Sequence, residues 1–164
     1  METEKATSTR RKRNLVVKVK RLSETAVVPC RKSESAAGYD LYVDRRCSVF
    51  PTGKTISGNA AIVPTGIALE IPNGYHGKIF LRSSTGAKTK LRLANGTGII
   101  DSDYRGEVKL LIENVGGDIE YIEKGDRIAQ IIIERNEDVT FEESQKLTDT
   151  KRGAGGIGST GKGA

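Results

Sequence analysis

Apolar residues alternate with polar ones in Val17-Lys18-Val19-Lys20 and again in Asp118-Ile119-Glu120-Tyr121-Ile122. That two-residue period predicts half-buried strands, because successive strand side chains point to opposite faces. Runs of aliphatic and β-branched residues at 60–63, 67–71, 108–112 and 128–133 predict further strands buried on both faces. Turn residues separate these runs at short intervals: Pro51-Thr52-Gly53, Pro64-Thr65-Gly66, Pro72-Asn73-Gly74, Gly116-Gly117 and Lys124-Gly125-Asp126. No long segment carries a 3.6-residue period. The pattern predicts an all-β, jelly-roll-like sandwich or barrel of many short strands, with at most one short helix.

Two segments fall outside that pattern. Residues 1–13 hold the run Arg10-Arg11-Lys12-Arg13 and little that could anchor them to a core, so they are expected to form a disordered basic arm. Residues 152–164 are Gly-rich and too poor in apolar side chains to pack alone, which predicts a flexible tail able to order on a ligand. Between them, residues 14–151 form one β domain, the default for a chain of 164 residues.

Composition narrows the chemistry. With 36% hydrophobic residues, no Trp and three Phe, the core must be largely aliphatic. No stretch reaches the length of a membrane span, and the basic N-terminus lacks the apolar run of a signal peptide. An intracellular protein, cytoplasmic or nuclear, is expected. Two cysteines, Cys30 and Cys47, are too few for a disulfide scaffold or a four-ligand zinc site and are expected to be reduced. A single histidine, His76, leaves little material for serine-type triads, so hydrolysis would rest on carboxylates. A net charge of +6 suits a polyanionic partner without choosing among nucleic acid, a phosphorylated small molecule and an acidic surface.

Some motif matches are formal only. Gly153-x-Gly155-x-x-Gly158 resembles a dinucleotide fingerprint, and Gly156-x4-Gly161-Lys162 a P-loop without its final hydroxyl residue. Both require a helix after the glycines to present its N-terminus to phosphate, and Ala164 ends the sequence too soon. More informative are Arg82-Ser83-Ser84-Thr85-Gly86, a cation followed by successive hydroxyls, and the segment from Gly98 to Gly106, which sets Asp101, Asp103 and Tyr104 between glycines. The first is phosphate-binding chemistry. The second is suited to a hairpin facing a pocket.

Together with Ala36-Ala37-Gly38-Tyr39-Asp40-Leu41, Gly125-Asp126-Arg127-Ile128-Ala129-Gln130 and the stretch from Arg152 to Gly161, these segments resemble the five ordered motifs of the trimeric dUTPase family. Two departures stand out. Ser84 occupies a position that is often Gly, and Ile157 replaces the aromatic residue that the family lays over uracil, leaving apolar cover without ring stacking.

The resemblance implies a homotrimer of jelly-roll subunits with shared active sites and hydrolysis of dUTP to dUMP and pyrophosphate with Mg2+. By carry-over, Asp101 activates the water that attacks the α-phosphorus, a general-base role worth about 10²–10⁴-fold. Tyr104 packs on the deoxyribose where a 2′-hydroxyl would clash. The hairpin backbone around Asn95, Gly98 and Ile100 reads uracil. The phosphates fall to Arg82, Ser83, Ser84, Gln130 and Arg152, joined by Gly156, Ile157, Gly158, Ser159 and Thr160 of the closing tail. Asp40 is assigned either the metal's water shell or support of the site from behind.

A dCTP deaminase of the same fold also carries Arg-Ser-Ser, but it would need a glutamate placed for deamination, and the segment from Ile99 to Gly106 with the complete tail favours the triphosphatase. A nucleic-acid-binding barrel would use the arm and the charge, yet five Tyr and three Phe give no evident stacking platform. Nucleic acid and membrane are therefore not expected partners. A trimeric interaction protein that signals by binding is the third reading.

Overall fold

The computed structural model describes residues 15–53 and 60–156. The basic arm and most of the tail, including Ile157, Gly158, Ser159 and Thr160, lie outside the described residues. In chain order the elements are β1 (Lys18–Arg21), β2 (Tyr39–Leu41), β3 (Cys47–Val49), β4 (Ala61–Glu70), β5 (Tyr75–Leu81), α1 (Ser83–Lys88), β6 (Leu91–Leu93), β7 (Gly98–Ile100), β8 (Glu107–Asn114), β9 (Glu120–Ile122) and β10 (Ala129–Arg135). They form two four-stranded sheets, β1-β4-β8-β6 and β2-β10-β5-β7, with a two-stranded β3-β9 ribbon. One aliphatic cluster joins them, with Val63, Leu110 and Ile112 from the first sheet, Leu41, Ile79 and Ile131 from the second, and Val49 and Ile122 from the ribbon. The all-β, jelly-roll-like architecture matches the hydrophobic pattern. Among the described residues no helix is long and apolar enough to cross a membrane.

Three local expectations need correction. Pro64-Thr65-Gly66 does not separate two strands; it lies inside β4, which runs through both predicted segments. A bulge absorbs the turn residues, shifting the β4–β8 register between Pro64 and Ala68, with Gly66 at φ +67. The Glu107 carboxylate accepts from the Gly66 N–H at 2.9 Å, and the Thr65 hydroxyl donates to the Val108 carbonyl, so the freed backbone groups keep partners. The 108–112 run is not buried on both faces: along β8 Val108, Leu110 and Ile112 face the core, while Lys109 and Leu111 face out. In the 118–122 alternation Ile122 is the residue turned inward, leaving Tyr121 and Ile119 exposed.

Candidate active site

Strand register gathers four of the five motifs on one sheet. Gln130 on β10 lies opposite Asp40 on β2 and opposite Phe80 on β5. Directly opposed residues share a face, so Asp40 and Gln130 stand side by side, and Arg82, two residues after Phe80, emerges at the same rim. Gly38 makes room here, since a Cβ in its place would run into the Gln130 amide.

Asp40 is buried, 7% exposed, and its charge is met from two sides. Arg82 Nε approaches Oδ1 at 3.1 Å, and Arg127 Nη1 donates to Oδ2 at 2.9 Å. Arg82 Nη1 also donates to the Arg127 carbonyl at 3.0 Å, and its backbone N–H donates to the Ile128 carbonyl at 2.9 Å. Both Asp40 oxygens are thus engaged by guanidinium groups. Ser83 and Ser84 follow Arg82 in the first turn of α1, with their side chains exposed. The flank is also cationic: Lys32 lies over the Tyr42 ring, 5.6 Å from its centroid, and is held above its ordinary pKa chiefly by Tyr42.

The third motif stands elsewhere. Asp101 follows Ile100, the end of β7, and Ile100 lies opposite Gly77 on β5. Gly77 precedes Arg82 by five residues, roughly 17 Å of strand at ~3.3 Å per residue. Within one chain the Asp101 carboxylate therefore stands at the opposite rim from Arg82. Among the described residues its side chain has no hydrogen-bond or ion-pair partner, while its carbonyl accepts from the Tyr104 N–H at 3.2 Å. The loop is nevertheless braced. The Tyr104 hydroxyl donates to the Glu107 carbonyl at 3.0 Å, and Arg105 Nη1 donates to the carbonyls of Ser102 and Tyr104. Tyr104 lies over Gly106, where a Cβ would strike its ring, and it is 44% exposed.

The remaining candidates divide by backbone and side chain. Ile100 points into the core, so only its main chain could meet a base. Gly98 is packed against Ile79, and exposed Asn95 sits in a turn where the Thr97 N–H donates to its carbonyl at 2.7 Å. Arg152 is exposed and its Nε donates to the Gly155 carbonyl at 2.9 Å; Gly156 is exposed beside it. Among the described residues no three His, Cys, Asp or Glu side chains cluster as metal ligands. Arg127 was missed by the sequence reading, although it lies inside the quoted segment from Gly125 to Gln130; nothing in that segment distinguishes a guanidinium facing Asp40 from one facing solvent.

The family model for dUTPase matches residues 24–161. Over 147 residues the chain is 42% identical to the deoxyuridine 5'-triphosphate nucleotidohydrolase of Rickettsia felis, covering 88% of this chain and 96% of that protein. It is 45% identical over 142 residues to the human mitochondrial deoxyuridine 5'-triphosphate nucleotidohydrolase, covering 87% of this chain and 53% of the human protein's length. Among solved structures, the dUTPase of Staphylococcus bacteriophage 80alpha with dUpNHpp superposes with a TM-score of 0.79 at 28% identity, covering 89% of this chain and 98% of that one.

Proposed function

The chain belongs to the dUTPase family; it is a dUTP diphosphatase that releases dUMP and pyrophosphate, and we propose how its residues divide the work. The supporting observation is the registered sheet β2-β10-β5-β7, which brings Asp40, Gln130 and Arg82 to one rim and sends Asp101 to the other. Arg82, with Ser83, Ser84 and Gln130, binds the triphosphate and neutralises charge as it develops on the leaving pyrophosphate. Asp101 accepts the proton of the attacking water at its carboxylate. Tyr104, braced on Glu107, packs against the deoxyribose and excludes a 2′-hydroxyl. The backbone around Asn95, Gly98 and Ile100 reads the uracil edge. Arg152 and residues 156–160 close over the phosphates.

With Asp101 and Arg82 at opposite rims of one chain, a complete site draws them from different subunits of a homotrimer. Exposed apolar side chains such as Phe141, 96% exposed, and Leu147, 80% exposed, are available to such an assembly. Magnesium usually binds through substrate phosphates and its own waters rather than a dedicated protein cage. When bound it supplies charge neutralisation. Asp40 supports Arg82.

Pyrophosphate release from dUTP, dCTP, dTTP and UTP, with magnesium present, tests the reading. Turnover of dUTP should greatly exceed that of the other three; equal hydrolysis of all four, or ammonia released from dCTP, contradicts it.

A further inference from the structure

Asp40 could hold Arg82 without help, yet a second guanidinium shares it. A carboxylate facing one arginine closes with it as a two-pronged fork, both oxygens on parallel N–H donors. Here Oδ2 belongs to Arg127, and Arg82 reaches only Oδ1. The three charged groups sum to +1, whereas Arg82 and Asp40 alone would sum to zero. Arg127 also offers its main-chain carbonyl to Arg82 Nη1, fixing the guanidinium plane from a second direction. A guanidinium has five N–H donors; with one Nη1 hydrogen donated to the Arg127 carbonyl and Nε in ion-pair contact with Asp40, donors stay available on a side chain that is 28% exposed.

We propose that Arg127 is a positioning residue for the triphosphate: by occupying Asp40 Oδ2 it stops Asp40 from closing on Arg82, and so keeps Arg82's charge and outward donors free for phosphate. This rests on the assignment of Arg82 to the phosphates. Arg127 itself touches no substrate in this account. Its loss should weaken binding of the phosphate chain and leave the nucleoside contacts and the attacking water largely alone.

The test uses full-length protein with magnesium, titrating dUMP and the analogue dUpNHpp against the parent, Arg127→Met, Arg127→Lys and Arg82→Ala, alongside kcat and KM for dUTP. Arg127→Met keeps the stem and loses the charge. It should weaken dUpNHpp by ~10-fold or more and raise KM comparably, while kcat and dUMP affinity stay within ~3-fold; Arg127→Lys should recover most of the loss. If Arg127→Met does not fold, Arg127→Gln carries the test, with a smaller loss again confined to dUpNHpp. Equal weakening of dUMP and dUpNHpp would show a merely structural role and overturn the proposal. So would unchanged dUpNHpp binding in Arg127→Met when Arg82→Ala has lost it, a result that leaves the Arg82 assignment standing. Parent-like dUpNHpp binding by Arg82→Ala would instead refute that assignment, and the proposal with it.

Discussion

At the Arg82 rim of the β2-β10-β5-β7 sheet, buried Asp40 meets two guanidinium groups and a backbone carbonyl completes the lock. At the Asp101 rim the bracing involves the loop's backbone, Tyr104 and Arg105, while the carboxylate has no partner among the described residues. The first rim is organised before any ligand arrives, as charge stabilisation requires. The second presents a carboxylate whose function depends on what faces it. That contrast predicts that damage at the two rims will look different.

The largest effect is expected at Asp101. Asp101→Asn should lower kcat by about 10²-fold or more with an unchanged melting temperature, because the amide cannot accept a proton and no protein contact is lost. Turnover within a few-fold of the parent, or a clear loss of stability, would break the contrast. At the other rim Asp40→Asn should affect both quantities. It leaves Arg82 and Arg127 together without their shared anion, costing about 1–3 kcal/mol in denaturant unfolding and weakening dUTP binding. An Asp40 variant as stable as the parent would remove the claim that this rim is locked.

Gly66→Ala touches neither rim's chemistry. A Cβ there meets the Asp44 carboxylate, and φ of +67 costs about 1–2 kcal/mol for an L-residue. Stability should fall while kcat changes little; a loss of activity without unfolding would extend the site to the bulge. The smallest effect is a pH dependence at Asp44, whose pKa is lowered chiefly by the Ser23 hydroxyl at 2.7 Å, with Thr25 also donating. Its contribution is fully present above the ordinary carboxylate pKa and is lost as pH falls through the lowered folded value. Ser23→Ala should therefore reduce stability at neutral pH by at most about 1 kcal/mol and flatten its decline in acid. An acid limb identical to the parent's would exclude Asp44.

These elements also show what a sequence discloses. The aliphatic runs marked most strands, since burial periodicity is local information. The strand through Pro64 was hidden, because proline and glycine signal a turn wherever they stand, and only the Glu107 carboxylate and Thr65 hydroxyl, distant in sequence, turn it into a bulge. Among the proposed site residues, Arg82, Ser83, Asp101 and Tyr104 stood out in the sequence as candidates, and the resemblance supplied the roles proposed for them. Their separation was not legible. It follows from Ile100 lying opposite Gly77 and Gln130 opposite Asp40, and register depends on pairing between distant segments. Arg127 was missed for the same reason, its meaning residing in a partner 87 residues away.

The central claim, that a working site joins the two rims from different subunits, is tested most directly by mixing two inactive chains. Asp101→Asn lacks the base and keeps its tail; a chain truncated before Arg152 keeps the base and cannot close. The family resemblance implies that the closing tail, like Arg82, reaches each site from a subunit other than the one that supplies Asp101, so a site works when the truncated chain supplies the third motif and the substituted chain the fifth. After co-refolding at equal amounts that combination has probability ½ × ½, and about a quarter of the parent activity should return, as a closed three-fold assembly requires. Trimers shown by mass to contain both chains yet remaining inactive would contradict the shared site.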